Sequence, residues 1–155
     1  MKLDRYTEKA QGAVIAAQRL ATDADSPVLD AEHILAALLE DAEGIPAVTL
    51  RALDADPARV GVELAAALAR RAKVAGGSLS VDPRAQELIR NAEGEAKRLQ
   101  DEYVSTEHLF LAMVDETGTT GQQLRRLGIT RDRALEALVG IRGNQRVTDQ
   151  DPEGK

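Results

Sequence analysis

The chain has 155 residues, of which 43 % are hydrophobic and only 2 % aromatic, and its 26 acidic and 20 basic side chains leave a net charge of −6. That length suits one ordinary domain or two small halves sharing a core, and the acidic balance argues against a nucleic-acid binder, which gathers Lys and Arg into a patch or stripe. There are no cysteines, so disulfides and thiolate metal sites are excluded. The start, "MKLDRYTEKAQ", lacks the apolar stretch of a secretory signal, and no run approaches the ~20 apolar residues of a membrane span. A soluble, cytoplasmic protein without membrane contact is expected.

Ala and Leu carry most of the packing capacity, which favours helices. Tyr6, Ala10, Ala13, Val14, Ala17, Leu20 and Ala21 recur with helical spacing and predict one long helix, ending near "TDADSP" where Ser26-Pro27 disfavours continuation. Asp30 is placed to cap a second helix with Ile34, Leu35, Leu38 and Leu39 inward, and Gly44 breaks it. A short third helix is expected over 46–53, and Asp56-Pro57 opens a fourth carrying Val60, Leu64, Leu68 and Ala72. "RRAK" at 70–73 reads as the solvated end of that helix.

"AGGSLS" at 75–80 reads as a flexible internal connection. Asp82-Pro83 then starts a fifth helix with Leu88, Ile89, Ala92, Ala96 and Leu99 inward. Ser105 caps a sixth, with Leu109, Phe110, Met113 and Val114 inward; "GTTGQQLRRLG" supplies a break and a short seventh helix. Thr130 caps an eighth, carrying Ala134, Leu135, Leu138 and Val139. No alternating β segment is evident.

The order of elements occurs twice. Gln11, Glu32 and His33 correspond to Gln86, Glu107 and His108 at a separation of 75 residues, and "LRAL" at 50–53 to "LRRL" at 124–127. Two copies of so long a unit do not make a solenoid. They predict an all-α fold of about eight helices, two imperfect four-helix repeats related by a pseudo-twofold axis. The expected division is a domain over 1–142, with repeats at about 1–74 and 81–142. The polar stretch 143–155 is expected to be a linker.

Candidate chemistry is sparse. His33 and His108 are the only histidines. They could be a two-histidine metal site, but no other ligands have metal-like spacing, and organisation of the first turn of each helix is the plainer role. No phosphate-binding glycine loop is present, no Ser/His/Asp set stands in a recognisable motif, and no carboxylate pair is singled out for acid–base work. The residues point to a non-catalytic chain without metal or cofactor.

The stretches "LDRYTEKAQ" at 3–11, "AEHILAALLED" at 31–41, "DEYVSTEHLFLAM" at 101–113 and "IRGNQRVTDQDPEGK" at 141–155 resemble the N-terminal domain of Clp-type AAA+ unfoldases, and the last is similar to the disaggregase branch. The resemblance implies a mobile, monomeric, all-helical module that captures unfolded or aggregated polypeptide for a hexameric ring. ATP and Mg would belong to the ring's ATPase modules, which this chain lacks, and a DnaK-type chaperone system would be the parent's partner. An adaptor-docking domain of the ClpC or ClpA type, feeding a protease, is the alternative. Carried over position by position, the resemblance implies substrate-related roles for Thr7, Asp101 and Glu107, and an apolar groove by the fifth and sixth helices around Tyr103, Val104 and His108. Where relatives can carry leucines on the exposed side of the fifth helix, this chain has Asn91 and Glu95, which implies a more polar groove. Because "DEYVS" precedes only the second copy, the grip is expected beside that copy.

Overall fold

The computed structural model describes residues 3–143, 148 and 150. Eight helices follow one another among them: α1 (Glu8–Asp23), α2 (Ala31–Leu39), α3 (Ile45–Ala52), α4 (Pro57–Ala69), α5 (Pro83–Arg98), α6 (Thr106–Val114), α7 (Thr119–Arg126) and α8 (Arg131–Arg142). In sequence, α1 to α4 span 16, 9, 8 and 13 residues and α5 to α8 span 16, 9, 8 and 12. Caps set the starts. Thr7, Asp56, Asp82 and Thr130 each accept a first-turn N–H through the side chain, and Pro46, Pro57 and Pro83 occupy first-turn positions where no N–H is missed.

Two short parallel contacts join the halves. β1 (Val28–Leu29) pairs with β2 (Ser80–Val81), placing Leu29 opposite Val81, and an isolated bridge joins Tyr6 to Val104. Shifting Tyr6 and Leu29 by 75 residues gives Val81 and Val104, so the second contact is the first with the halves exchanged. The residue before each long helix's N-cap pairs with the residue before the N-cap of the other half's second helix. One core results, in which Val14, Ile34, Leu35 and Leu50 join Leu88, Leu109, Phe110 and Leu124 in a single buried cluster.

Several expectations need correcting. β pairing exists, and "AGGSLS" is not wholly a free connection, because Ser80 lies in β2 and its N–H donates to the Pro27 carbonyl at 3.1 Å. Two-residue strands carry no alternation for a sequence reading to detect. Tyr6 precedes α1 rather than lying in it, and α4 ends before Ala72. Val139 is half exposed instead of inward. Arg71 is no solvated terminus: it bonds Asp30 at 3.1 Å and Glu32 at 2.8 Å. Gly143, Thr148 and Gln150 are the only described residues of the expected linker; the rest of that expectation lies outside the described residues.

Candidate functional site

The paired histidines share one local geometry. His33 and His108 are each the third residue of their helix, and each Nδ1 accepts the N–H of the residue capping that helix, Asp30 at 3.0 Å and Ser105 at 2.8 Å. A capping box normally uses Glu or Gln here; imidazole with an unprotonated Nδ1 serves equally well. The first-turn role expected for both histidines is therefore met.

Beyond the cap, the two copies diverge. His108 Nε2 lies 2.7 Å from Asp101 Oδ2, and the matching position in the first copy is Ser26, whose hydroxyl donates to the Val28 carbonyl. With Nδ1 accepting, the proton belongs on Nε2 and is donated to Asp101. Arg142, the last residue of α8, grips Asp101 with both Nη atoms, at 2.7 and 2.9 Å, and reaches Glu107 Oε1 at 3.1 Å. Its bonds to Asp101 hold the guanidinium above its usual pKa. Ser105 Oγ donates to the same Glu107 oxygen at 3.0 Å, and Glu107 Oε2 is buried with no hydrogen-bond partner among the described residues. Glu107 stands in the first turn of α6, where the helix dipole favours a carboxylate.

Ser105, His108 and Asp101 have the composition of a hydrolytic triad, and Ser105 Oγ lies 3.1 Å from His108 Nδ1, but Nδ1 also accepts the Ser105 N–H, the hydroxyl also reaches Glu107, and all three residues are buried. The arrangement caps a helix and anchors Arg142. Ligand-capable atoms of Asp101, Glu107 and His108 lie within 4.8 Å of one another, yet the Arg142 guanidinium already supplies the cation between the carboxylates.

The first copy uses the same logic with other partners. Glu32 pairs with Arg71 as Glu107 pairs with Arg142, Arg142 being the last residue of α8 and Arg71 standing just past the Arg70 cap of α4. Asp30 adds Arg84 at 3.0 Å, and Glu32 accepts from Thr119 at 3.2 Å, so the first copy is tied to the second. Burial with the neighbouring Arg71 charge lowers the His33 pKa.

The sequence-derived residues thus form one contiguous group. Thr7 is fully buried; its Oγ1 accepts from Ala10 and its N–H donates to the Val104 carbonyl. Val104, Asp101, Glu107 and His108 are buried, and Tyr103 is half-buried with the Arg5 guanidinium 5.7 Å from its ring centroid. Sequence reading missed Arg142, Arg71 and Ser105 as members. The usable signal was an arginine at or just past the end of each fourth helix. The expectation that Asn91 and Glu95 share the exposed side of α5 holds for Asn91 only. Glu95 is buried and bonds Arg131 at 2.6 and 3.0 Å and Arg98 at 2.6 Å, joining α5 to α8.

Two concavities flank this group. The larger, about 620 Å³, runs between α1, the end of α2 and the start of α3; Gly12, Ala13, Ala16, Leu38, Ile45 and Pro46 line it, with Lys9, Glu40, Asp41 and Glu43 also contributing and Thr106 from α6. The smaller, about 360 Å³, is lined by Asp4, Arg5, Tyr6, Ala96, Lys97, Asp101 and Val104 among others. They share no residue but use successive parts of the same segments, 4–6 with 101–104 and 9–16 with 106. The Tyr6 hydroxyl, buried and without a hydrogen-bond partner among the described residues, is pushed above its usual pKa by burial and by Glu93.

Residues 5–127 match the family of the Clp repeat N-terminal domain. The chain is similar to the chaperone protein ClpB of Bacillus cereus, with 37 % identity over 99 % of this chain and 18 % of that relative. It therefore spans less than a fifth of the length of the curated relatives it matches. Among solved structures, the Hsp104 N-terminal domain of Candida albicans superposes with a TM-score of 0.83 at 17 % identity, covering 95 % of this chain and 97 % of that one. A ClpV N-domain in complex with a VipB peptide superposes at 0.77 with 18 % identity, covering 94 % of each. These two likenesses bear on the fold. Among the described residues, no helix is long and apolar enough to cross a membrane.

Proposed function

Because the chain belongs to the Clp N-terminal domain family, we propose that it is the substrate-binding module of an AAA+ disaggregase chaperone, holding unfolded or aggregated polypeptide weakly and passing it to an ATPase ring. The observation that carries this reading is the open groove of about 620 Å³ on α1, floored by small and apolar side chains and bordered by the α6 N-terminus. Thr7, Asp101, Glu107 and His108 act in this reading as the braced wall beside the groove. Half-buried Tyr103 presents the adjoining surface, and Val104 lines the smaller concavity. Residues 143–155 serve as the linker to ATPase modules that bind ATP and Mg in a hexamer, with a DnaK-type system as collaborator.

Affinity for a single segment is weak in this reading. Covering ~300 Å² of apolar surface yields about 7 kcal/mol gross at ~25 cal/mol/Å², and association with ordering of a floppy chain costs at least ~4 kcal/mol. Several modules on one ring would raise the effective concentration on one aggregate. The ClpV N-domain complex with a VipB peptide favours a second reading, docking of one defined peptide from an adaptor, as for the ClpC and ClpA type.

Titration of the isotope-labelled chain with casein, a persistently unfolded protein, tests the first reading. Amide shifts are expected at Gly12, Ala13, Ala16 and Ile45, continuing to Thr7, Tyr103 and Glu107. Shifts confined to the α4 side, around Val62 and Val74, would refute the site.

A further inference from the structure

The segment entering α1 has two edges. One faces Val104: the Arg5 carbonyl accepts from the Val104 N–H at 2.8 Å, and the Thr7 N–H donates to the Val104 carbonyl at 2.9 Å. On the side away from Val104, Asp4 and Arg5 form a turn closed by the Tyr6 N–H to the Leu3 carbonyl at 3.1 Å, and the Tyr6 carbonyl accepts from the Gln11 side-chain amide at 2.9 Å, which leaves the Asp4 carbonyl and the Glu8 N–H as the main-chain groups met from elsewhere in the chain. On that second edge, the Glu8 N–H, one of the donors a helix N-terminus leaves without an internal partner, donates to the Gln150 carbonyl at 2.7 Å. The Gln150 side-chain amide in turn donates to the Asp4 carbonyl at 3.2 Å. A residue far along the sequence therefore reads this edge at two points, one through its main chain.

We propose that the backbone edge at Asp4 and Glu8 is a binding site for extended polypeptide, filled in the free protein by the chain's own Gln150 and taken over by a bound client. The proposal rests on the polypeptide-binding reading above and adds its regulation. Position supports it. Asp4 lines the smaller concavity and Lys9 the larger, so a chain crossing from one to the other passes over the Gln150 contact. The contact at Glu8 asks only for a carbonyl, which every polypeptide offers, while the Asp4 carbonyl takes any donor, here a side-chain amide, so the pair of groups suits clients of unrelated sequence. Arg142, pinned by Asp101 and Glu107, lies only eight residues before Gln150 in the sequence. A short tether supplies a local concentration in the millimolar range, enough for a weak contact to compete with a weakly held client.

The test compares the full chain with one ending at Gly143, which keeps Arg142 and every residue of the core cluster. Amide hydrogen exchange at Glu8 and casein affinity are measured on both, with circular dichroism confirming equal helix content. Removal of the tail is expected to speed Glu8 exchange and to tighten casein binding roughly two- to tenfold, the factor by which self-occupancy reduces the competent population. A synthetic peptide of residues 144–155 added to the shortened chain should restore Glu8 protection and weaken casein binding again. Unchanged Glu8 exchange, or equal casein affinity in the two chains, overturns the competition while leaving polypeptide binding intact. Absence of casein binding to either chain overturns the polypeptide-binding reading, and this inference with it.

Discussion

Replacing Arg142 by Ala probes the buried network most directly. In the folded protein its guanidinium makes two bonds to Asp101 and one to Glu107, at 2.7, 2.9 and 3.1 Å. With Arg142 in place the Asp101 side chain has 0 % exposure and that of Glu107 3 %, so both carboxylates depend on protein groups for their compensation. Removing one partner of a buried ion pair typically costs 3–5 kcal/mol, because an uncompensated charge remains. The α6 dipole and the His108 N–H relieve part of that charge, which places the loss at about 3 kcal/mol. At about 3–4 °C per kcal/mol for a domain of this size, the midpoint should fall by about 10 °C. Thermal and urea unfolding followed at 222 nm would read it, with an unchanged m-value showing that two-state unfolding persists. Adding Glu107→Gln to the Arg142→Ala chain removes one stranded charge and should recover at least ~1 kcal/mol. A fall of less than 3 °C, or no coupling between the two substitutions, would show that the carboxylates do not depend on Arg142.

Further outcomes follow from single sites. Burial and Arg71 lower the His33 pKa, so the unfolded chain binds the proton more readily than the folded one. Stability from this group is complete above the unfolded value of about 6.5 and is lost as pH falls below it, at up to ~1.4 kcal/mol per pH unit. Urea unfolding of wild type and His33→Gln between pH 7.5 and 5 should show the steeper loss in wild type; parallel curves would refute the assignment. At Gly121, a Cβ would overlap the Glu116 main-chain carbonyl oxygen, so Gly121→Ala should destabilise by about 3 kcal/mol or lose the α7 packing. Gly94→Ala, where a Cβ meets nothing within 4 Å in the middle of α5, should instead stabilise by up to ~1 kcal/mol, and the same melts check both.

The sequence by itself determined the helices, their order and their starts. That information is local: a cap such as Asp82 followed by Pro83 acts within one turn, and an inward stripe such as Leu88, Ile89 and Ala92 repeats with the helical period. The duplication was legible for the same reason, since Glu32-His33 and Glu107-His108 occupy equivalent turns. The group Thr7, Asp101, Tyr103, Val104, Glu107 and His108 was reached through resemblance, because no local pattern marks it. Tertiary structure alone decided how its members are bound. Arg142 meets Asp101 across 41 residues and Val104 meets Tyr6 across the junction of the halves, and neither contact leaves a periodic trace in the chain. Exposure was decided there too. Glu107, a first-turn carboxylate of α6, is buried, with Arg142 at the end of α8 delivering a guanidinium to it. Glu95 read as an exposed groove residue, yet Arg131 draws it into the α5–α8 junction. A charged side chain's environment depends on which distant element arrives to pair with it, and only the folded chain contains that element's position.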